Sequence, residues 1–329
     1  MEEASELTYN YIIIGSDGYY SIGYRDIMNL NNVKYFFTYT DGVEENWLKK
    51  AIRFNFSRKI NKIIPTPLSK LVYPHIYKHK FNNNKPICFL FFGNREYIYQ
   101  TSYINYLQRK YPNAKLVLYM QDLISRNKKL DFDKTRHVFD QILSYDKGDC
   151  EKYNLHFHPT PMSNVEFGND QICERYDVYF CGFAKTRYPI INNLYKKLTS
   201  QGLKCDFHLM NYPDNEDKVA GIHYNEAPFS YEKNIQHVLN SRCILEIMQE
   251  NADGFTPRVW ESIIYDRHLL TNNRSLFNSE FFNEKNMHFV ESNDIMSWIN
   301  ESAEYSFKEK NRLSPIHLLY FIDNLLRTK

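Results

Sequence analysis

The sequence predicts an α/β protein with two Rossmann-like domains that face a central cleft. Short runs of β-branched and aromatic residues alternate with longer segments of helical periodicity, and the series occurs twice along 329 residues. Such alternation is typical of parallel sheets with helices on both faces. At roughly 100 to 200 residues per domain, the length also fits two domains. Ligands of such sheets bind beyond the carboxyl ends of the strands, so we expect functional residues in the loops that follow the strands.

Six apolar runs predict strands in the first half of the chain. They occupy residues 11–14, 33–39, 87–92, 116–120, 142–144 and 155–157. Residues 97–111 carry Ile98, Ile104 and Leu107 at helical spacing and predict a helix. Proline, asparagine and glycine then interrupt the pattern between residues 159 and 175, which predicts a domain boundary there.

The second half repeats the alternation. Strands are predicted at 178–181, 205–210, 243–247, 268–270 and 288–290, and helices at 188–200, 231–239, 258–264, 294–299 and 307–326. We therefore predict an N-terminal domain at 1–165, a C-terminal domain at 166–305 and a last helical segment at 306–329.

Composition excludes several functional classes. The net charge is +2, which gives no global field for nucleic acid. The acidic N-terminus and short apolar runs predict no signal peptide and no membrane span. Six cysteines without a C-x-x-C pair predict reduced thiols rather than zinc or disulfides. We expect a soluble cytoplasmic protein.

Glycine is scarce, and its positions are informative. Gly15, Gly93 and Gly182 each follow an apolar strand, and Gly254 precedes a helix, so these four turns are expected to face a ligand. The sequence contains neither G-x-G-x-x-G nor a P-loop motif. A dehydrogenase and a P-loop kinase are therefore disfavoured.

The segment 253–262 carries the clearest site pattern. Thr256 is predicted to cap a helix whose first residue is Pro257. The N–H groups of a helix N-terminus favour an anion, and Arg258 adds a forked donor for phosphate oxygens. Glu261, one turn further, would accept hydrogen bonds from ribose hydroxyls. The alternative is a capped helix that binds no ligand.

A second basic loop follows the strand at 178–181. Gly182, Lys185 and Arg187 lie where a new helix is predicted to begin. These side chains would contact a diphosphate, or alternatively are solvated surface charges. Two such loops in one domain favour convergence on the same anion.

These segments resemble bacterial GT-B glycosyltransferases. Their nucleotide-sugar motif has two acidic residues separated by seven, with glycine and a Pro-Arg pair between them, and here the acidic pair is Asp253 and Glu261. Residues 182–187 resemble the loop that contacts the donor pyrophosphate. Residues 139–149 resemble the end of the N-terminal domain in capsule and lipopolysaccharide glycosyltransferases.

The resemblance implies a function for each domain. The C-terminal domain would bind a nucleotide-diphosphate-sugar through Gly182, Lys185, Arg187, Asp253, Gly254, Thr256, Arg258 and Glu261. The N-terminal domain would bind a glycan or polyprenyl-linked acceptor of bacterial surface polysaccharide synthesis. The last helix would cross back to the N-terminal domain. No metal or other cofactor is expected.

Two aspartates are candidates for the general base that an inverting mechanism needs. Asp17 and Asp122 both follow predicted strands of the first half, where helix capping is the alternative role. A retaining mechanism would need no such base. The D-x-D pair Asp131 and Asp133 matches a metal motif of GT-A enzymes, but a helix start is favoured there, and His156 and His158 are interpreted as ordinary strand residues.

Residues 49–85 contain ten Lys or Arg and no Asp or Glu. Ile52, Phe56 and Ile60 recur at helical spacing, with Ile63 and Ile64 beyond them, which predicts one basic amphipathic helix. Such a helix would lie on an anionic membrane at its cytoplasmic face, or alternatively pack on the core. The functional rival to an enzyme is a non-catalytic two-lobed protein that binds a sugar or nucleotide.

Overall fold

The computed structural model describes residues 6–16, 18–93, 101–126, 131–166, 175–227, 230–248 and 254–328. The chain divides into two compact units, Met1–Pro161 with Pro315–Lys329, and Met162–Ser314. Each unit contains a six-stranded sheet whose paired strands are all parallel. The predicted α/β class with two Rossmann-like halves is therefore confirmed.

The sheet of the first unit has the strand order β2-β1-β3-β4-β5-β6. Its strands are β1 (Asn10–Ile14), β2 (Val33–Phe36), β3 (Ile87–Phe92), β4 (Lys115–Met120), β5 (Gln141–Ser144) and β6 (His156–Phe157). Its helices before the second unit are α1 (Tyr19–Gly23), α2 (Arg25–Met28), α3 (Asn46–Asn55), α4 (Arg58–Asn61), α5 (Ser69–Val72), α6 (Thr101–Lys110), α7 (Phe132–Thr135) and α8 (Lys147–Tyr153).

Both faces of this sheet are buried. Ile12 and Ile14 pack into one apolar cluster, whereas Tyr11 and Ile13 pack into another on the opposite face. Successive residues of a strand point to opposite faces, so a strand covered on both sides is apolar at every position. This explains why the central strands were readable as continuous apolar runs.

The second unit has the strand order β12-β11-β10-β7-β8-β9. Its strands are β7 (Tyr176–Phe183), β8 (Cys205–Met210), β9 (His223–Tyr224), β10 (Ser241–Glu246), β11 (His268–Thr271) and β12 (Met287–Phe289). Its helices are α9 (Tyr188–Ser200), α10 (Tyr231–Leu239), α11 (Pro257–Ile264), α12 (Arg274–Phe277), α13 (Ile295–Trp298) and α14 (Phe307–Leu313). This is the doubly wound Rossmann order, and its direction reverses between β7 and β10. The two-residue strand β9 was not predicted.

The prediction of one helix at 307–326 is wrong. Helix α14 begins with a capping box between Ser306 and Glu309 and ends at Leu313. Ser314 is extended, and a new helix, α15 (Pro315–Arg327), begins at Pro315. Proline lacks the N–H that would continue the helix and disfavours helical geometry in the preceding residue.

Helix α15 belongs to the first unit. The hydroxyl of Tyr11 donates to the carbonyl of Leu319 (3.1 Å) and to Oδ1 of Asp323 (3.2 Å). The amide of Thr8 donates to the same carboxylate oxygen at 3.0 Å. The two bonds of Tyr11 are buried and that of Thr8 is partly buried, and together they fix the helix against the first strand and the residues before it.

The prediction of a single amphipathic helix in the basic segment is also wrong. Helix α3 ends at Asn55, and α4 begins at Arg58 after a short break. The Asn61 side chain donates to the carbonyls of Asn55 and Ser57 at 2.7 and 2.9 Å, which stabilises the turn. Ile63 and Ile64 lie beyond both helices and are exposed.

The predicted helix at 97–111 corresponds to α6, although residues 94–100 lie outside the described part of the chain. Across the described residues, none of the helices is both long enough and apolar enough to cross a membrane.

Candidate functional site

The strand order of the second unit places a candidate site between β7 and β10. Crevices in doubly wound sheets form where the strand order reverses, beyond the carboxyl ends of the strands. Strand β7 ends at Phe183 and strand β10 ends at Glu246, so both carboxyl ends lie at this crevice. The loop that follows β10 leads into α11.

The start of α11 has the predicted geometry. Thr256 is extended, and its Oγ1 accepts a hydrogen bond from the amide of Arg258 at 3.3 Å. Pro257 is the first helical residue. The predicted cap and first residue are therefore confirmed, and the partial positive charge of a helix N-terminus lies at the edge of the sheet.

Arg258 extends from this helix start to β7. Its guanidinium donates to the carbonyl of Cys181 and lies 5.6 Å from the ring centroid of Phe180. A Cβ on Gly182 would lie 3.1 Å from Nη2 of Arg258. The absence of a side chain at Gly182 therefore lets the guanidinium lie against the strand.

Arg187 places a second guanidinium at the same edge. It donates to the carbonyls of Ile247 and Phe183, while its buried Nε has no hydrogen-bond partner in the described part of the chain. Burial, and then repulsion from Arg258, lower the pKa of Arg187. An anion bound by both arginines would relieve this repulsion.

Lys185 begins the short turn Lys185–Arg187 before α9. Its side chain is exposed, and its φ is +46°, which is uncommon for a residue with a side chain. The turn thus presents an ammonium group close in sequence to Arg187.

A buried carboxylate that the sequence analysis missed lies under the helix start. Glu246 is 1% exposed, and it accepts hydrogen bonds from the hydroxyls of Thr256 (2.5 Å) and Thr271 (2.6 Å). Burial raises its pKa, although the two threonines act in the opposite direction. The sequence did contain a signal for this residue, namely a glutamate at the end of the otherwise apolar strand β10. A buried carboxylate needs specific partners, so such a position indicates a polar cluster.

Glu261 is also buried within the unit. Its Oε1 accepts hydrogen bonds from the hydroxyl of Tyr231 at 2.5 Å and from the side-chain Nδ2 of Asn234 at 3.3 Å. Burial raises its pKa, and Arg258 is the strongest opposing influence. The predicted contact with ribose stays a prediction, since one carboxylate oxygen is already held by protein donors.

Comparisons with known proteins give structural neighbours only. No family model and no curated protein matches the sequence. A solved α-glucosyltransferase in complex with UDP and a DNA 13-mer is 13% identical, with 94% of each chain covered and a TM-score of 0.44. A trehalose-6-phosphate synthase is 8% identical, with 97% of this chain and 99% of that chain covered and a TM-score of 0.49. A UDP-forming trehalose-phosphate synthase from Burkholderia xenovorans is 10% identical, with 96% of each chain covered and a TM-score of 0.46.

These neighbours are sugar-transferring enzymes by their descriptions.

The remaining predicted residues have different outcomes. Asp17 and Asp253 lie outside the described residues. Asp122 is exposed, two residues beyond β4 of the first unit. The carbonyl of Gly254 accepts a hydrogen bond from the Asn273 side chain at 3.2 Å, which connects the loop before α11 to the loop after β11.

The D-x-D pair lies at a helix start, as favoured by the sequence. Asp131 immediately precedes α7, and its carbonyl accepts hydrogen bonds from the amide and hydroxyl of Thr135 at 3.0 and 2.7 Å. Neither Asp131 nor Asp133 belongs to a described group of side chains spaced to hold a metal ion.

Proposed function

We propose that the chain is a glycosyltransferase that uses a nucleotide-diphosphate-sugar. The observation that carries this proposal is the pair of guanidinium groups, on Arg187 and Arg258, beside the N-terminus of α11 at the switch point of a Rossmann sheet. Each of these features favours a phosphate-bearing ligand. The match of residues 253–262 to a nucleotide-sugar motif supports the same class.

The proposed chemistry is electrostatic. Bond cleavage at the anomeric carbon leaves negative charge on the departing nucleotide diphosphate. Arg187, Arg258 and Lys185 would stabilise that charge without a metal ion at this site, because preorganised donors need little reorganisation during the reaction. Thr256, held by Glu246, keeps the helix start in place, and Glu261 would orient the ribose.

The acceptor part of the proposal concerns the first unit. We propose that this unit binds a glycan or lipid-linked glycan of bacterial surface polysaccharide synthesis. If the reaction inverts the anomeric configuration, Asp17 or Asp122 would serve as general base. A retaining reaction would need neither carboxylate.

Calorimetric titration with UDP-, GDP-, CMP- and TDP-sugars, followed by a donor hydrolysis assay, tests the function. We expect one donor class to bind and to be slowly hydrolysed without acceptor. Binding without any turnover, including in the presence of glycan acceptors, would favour the non-catalytic two-lobed protein. Absence of binding to the whole panel would refute the donor site.

The basic segment supports a further part of the proposal, contact with an anionic membrane. Trp47, Phe54, Ile63, Ile64 and Leu71 are between 45% and 80% exposed. Exposed Lys50, Arg53, Lys59, Lys62 and Lys70 lie in the same segment. Large apolar side chains interspersed with lysine and arginine are typical of surfaces that bind acidic lipid headgroups.

We expect the protein to bind vesicles of acidic phospholipid at low salt, and Lys59→Glu/Lys62→Glu to weaken that binding by at least about 30-fold. Each basic residue near an acidic bilayer contributes about 1 kcal/mol, so loss of two corresponds to this factor. Sedimentation with vesicles measures the partition coefficient. The control Lys196→Glu/Lys285→Glu makes the same charge change on exposed lysines of the second unit and should bind like the wild type. Equal loss in both variants would mean a nonspecific charge effect and would refute this surface.

A further inference from the structure

A cluster of three histidines and two carboxylates lies at the β8–β9 edge of the second unit. Among the described residues, His208, His223 and Glu226 place their potential ligand atoms within 4.8 Å of one another, and so do Asp206, His208 and His237. The two groups share His208. The proposed transferase chemistry uses none of these side chains.

The sheet itself brings the first group together. His208 of β8 and His223 of β9 are paired residues in the parallel register, and their rings stack with centroids 4.6 Å apart. Asn225 then adopts a left-handed backbone conformation with a φ of +54°. Its side-chain oxygen accepts a hydrogen bond from the backbone amide of Tyr212, and its side-chain nitrogen donates to the carbonyl of Tyr212. This anchored turn directs the chain so that Glu226 reaches both histidines.

The distances between ligand atoms suit a metal ion. Nδ1 of His208 lies 3.4 Å from Oε2 of Glu226, and Nδ1 of His223 lies 2.8 Å from Oε1 of the same carboxylate. Ligand atoms about 2.0–2.1 Å from a tetrahedral Zn²⁺ would be about 3.3 Å apart. Small movements of the exposed His223 and Glu226 side chains would therefore complete the geometry.

The hydrogen bond between His208 and Asp206 gives the second argument. Its Nε2 lies 2.9 Å from Oδ1 of Asp206, and an ionised carboxylate only accepts hydrogen bonds, so Nε2 carries a proton. In the neutral tautomer with this proton on Nε2, Nδ1 is the ring atom that can bind a metal ion, and it faces the carboxylate of Glu226. A cation between Nδ1 and this carboxylate would be bound by both.

Asp206 has the environment of a carboxylate that orients a metal-binding histidine. Its other oxygen accepts a hydrogen bond from Nδ1 of His237 at 2.7 Å, and the residue is 4% exposed. Histidines that bind metals commonly donate their second N–H to such a carboxylate.

We propose that His208 Nδ1, His223 and Glu226 form a site for a divalent transition metal ion such as Zn²⁺, with Asp206 and His237 orienting His208. Two imidazoles and one carboxylate are a common ligand set for Zn²⁺ and related first-row ions. Because His223 and Glu226 are exposed, the ion would keep coordination positions open to solvent.

Titration of untagged, EDTA-treated and desalted protein with Co²⁺ tests the site, with visible absorption and competition by Zn²⁺ as readouts. We expect saturation at one ion per chain. His223→Ala/Glu226→Gln should lower affinity at least 100-fold, and Asp206→Asn should lower it about 10- to 100-fold. His137→Ala, which removes an exposed histidine of the first unit, should bind like the wild type.

Unchanged affinity in His223→Ala/Glu226→Gln would overturn the assignment. That result would also be obtained if the ion bound Asp206, His208 and His237 instead. Failure of the wild type to bind Co²⁺ or Zn²⁺ would overturn it as well. Thermal unfolding without metal checks that the variants are folded. Because the readout is metal binding, its outcome is independent of the donor-sugar titration.

Discussion

Replacement of Arg258 with alanine is expected to lower kcat/KM for sugar transfer by about 10²–10³-fold. A preorganised donor to developing charge is typically worth this factor. Arg258 is held for this role by the carbonyl of Cys181 and the ring of Phe180, and it starts from the N-terminal turn of α11. The measurement is initial-rate kinetics with the donor sugar that the calorimetric panel identifies.

The conservative and control variants make this prediction specific. Arg258→Lys keeps the charge but loses the forked geometry, and should recover only part of the activity. Arg274→Ala removes an exposed arginine of the same unit that pairs with Glu291, and should leave kcat/KM unchanged. Wild-type kinetics in Arg258→Ala, with an unchanged melting temperature, would remove Arg258 from the donor site.

Replacement of Arg187 or Lys185 should reduce activity less than replacement of Arg258. Arg187→Ala is expected to reduce activity substantially, although loss of its hydrogen bonds to the carbonyls of Ile247 and Phe183 also perturbs the local backbone. Lys185→Ala should have a smaller effect, about 10-fold, because its exposed ammonium acts through solvent. The effects need not be additive, since the positive charges of Arg187 and Arg258 repel each other.

The sheets were the most predictable part of the structure. Strand β3 was predicted with its observed bounds because both of its faces are buried, which makes every residue apolar. The start of α11 was predictable because Thr256 and Pro257 are local signals with a known geometry. Pro315 was an equally local signal, yet apolar periodicity over 307–326 obscured it.

The missed residues depend on contacts between distant segments. Glu246 meets Thr256 and Thr271 only when β10, β11 and α11 are assembled. His208 and His223 are 15 positions apart in the numbering, and only the β8–β9 register makes them neighbours. Spacing along the chain carries no information about such pairs, whereas a polar residue in an apolar strand does mark a position that needs a partner.

Replacement of Glu246 with alanine is expected to lower the free energy of unfolding by about 3 kcal/mol. The change removes two hydrogen bonds to a buried carboxylate and leaves the hydroxyls of Thr256 and Thr271 without this acceptor. Urea unfolding measures the loss. Glu284→Ala, at an exposed site, should change stability by no more than about 0.5 kcal/mol. A loss of the same small size in Glu246→Ala would show that the carboxylate does not stabilise the loop.

The pH dependence of the same variant gives a sharper test. Burial raises the pKa of Glu246 above its ordinary value, so the folded state retains this proton at pH values where the unfolded state has lost it. Stability from this group is therefore largest at acidic pH and falls as pH rises through the interval between the unfolded and folded pKa values. Glu246→Gln cannot titrate and removes this slope.

The stability of the wild type relative to Glu246→Gln should therefore decrease as the pH rises above the ordinary pKa of a glutamate, and should level off once the pH exceeds the raised pKa of the folded state. Unfolding in urea at a series of pH values measures this difference, and Glu284→Gln corrects for the titration of exposed carboxylates. The opposite slope would mean that the two threonine hydroxyls and the field of Arg258 outweigh burial and hold Glu246 ionised. In that case Glu246 would contribute a full negative charge beside the proposed diphosphate site, and Arg258 would be needed as much to balance Glu246 as to bind the donor.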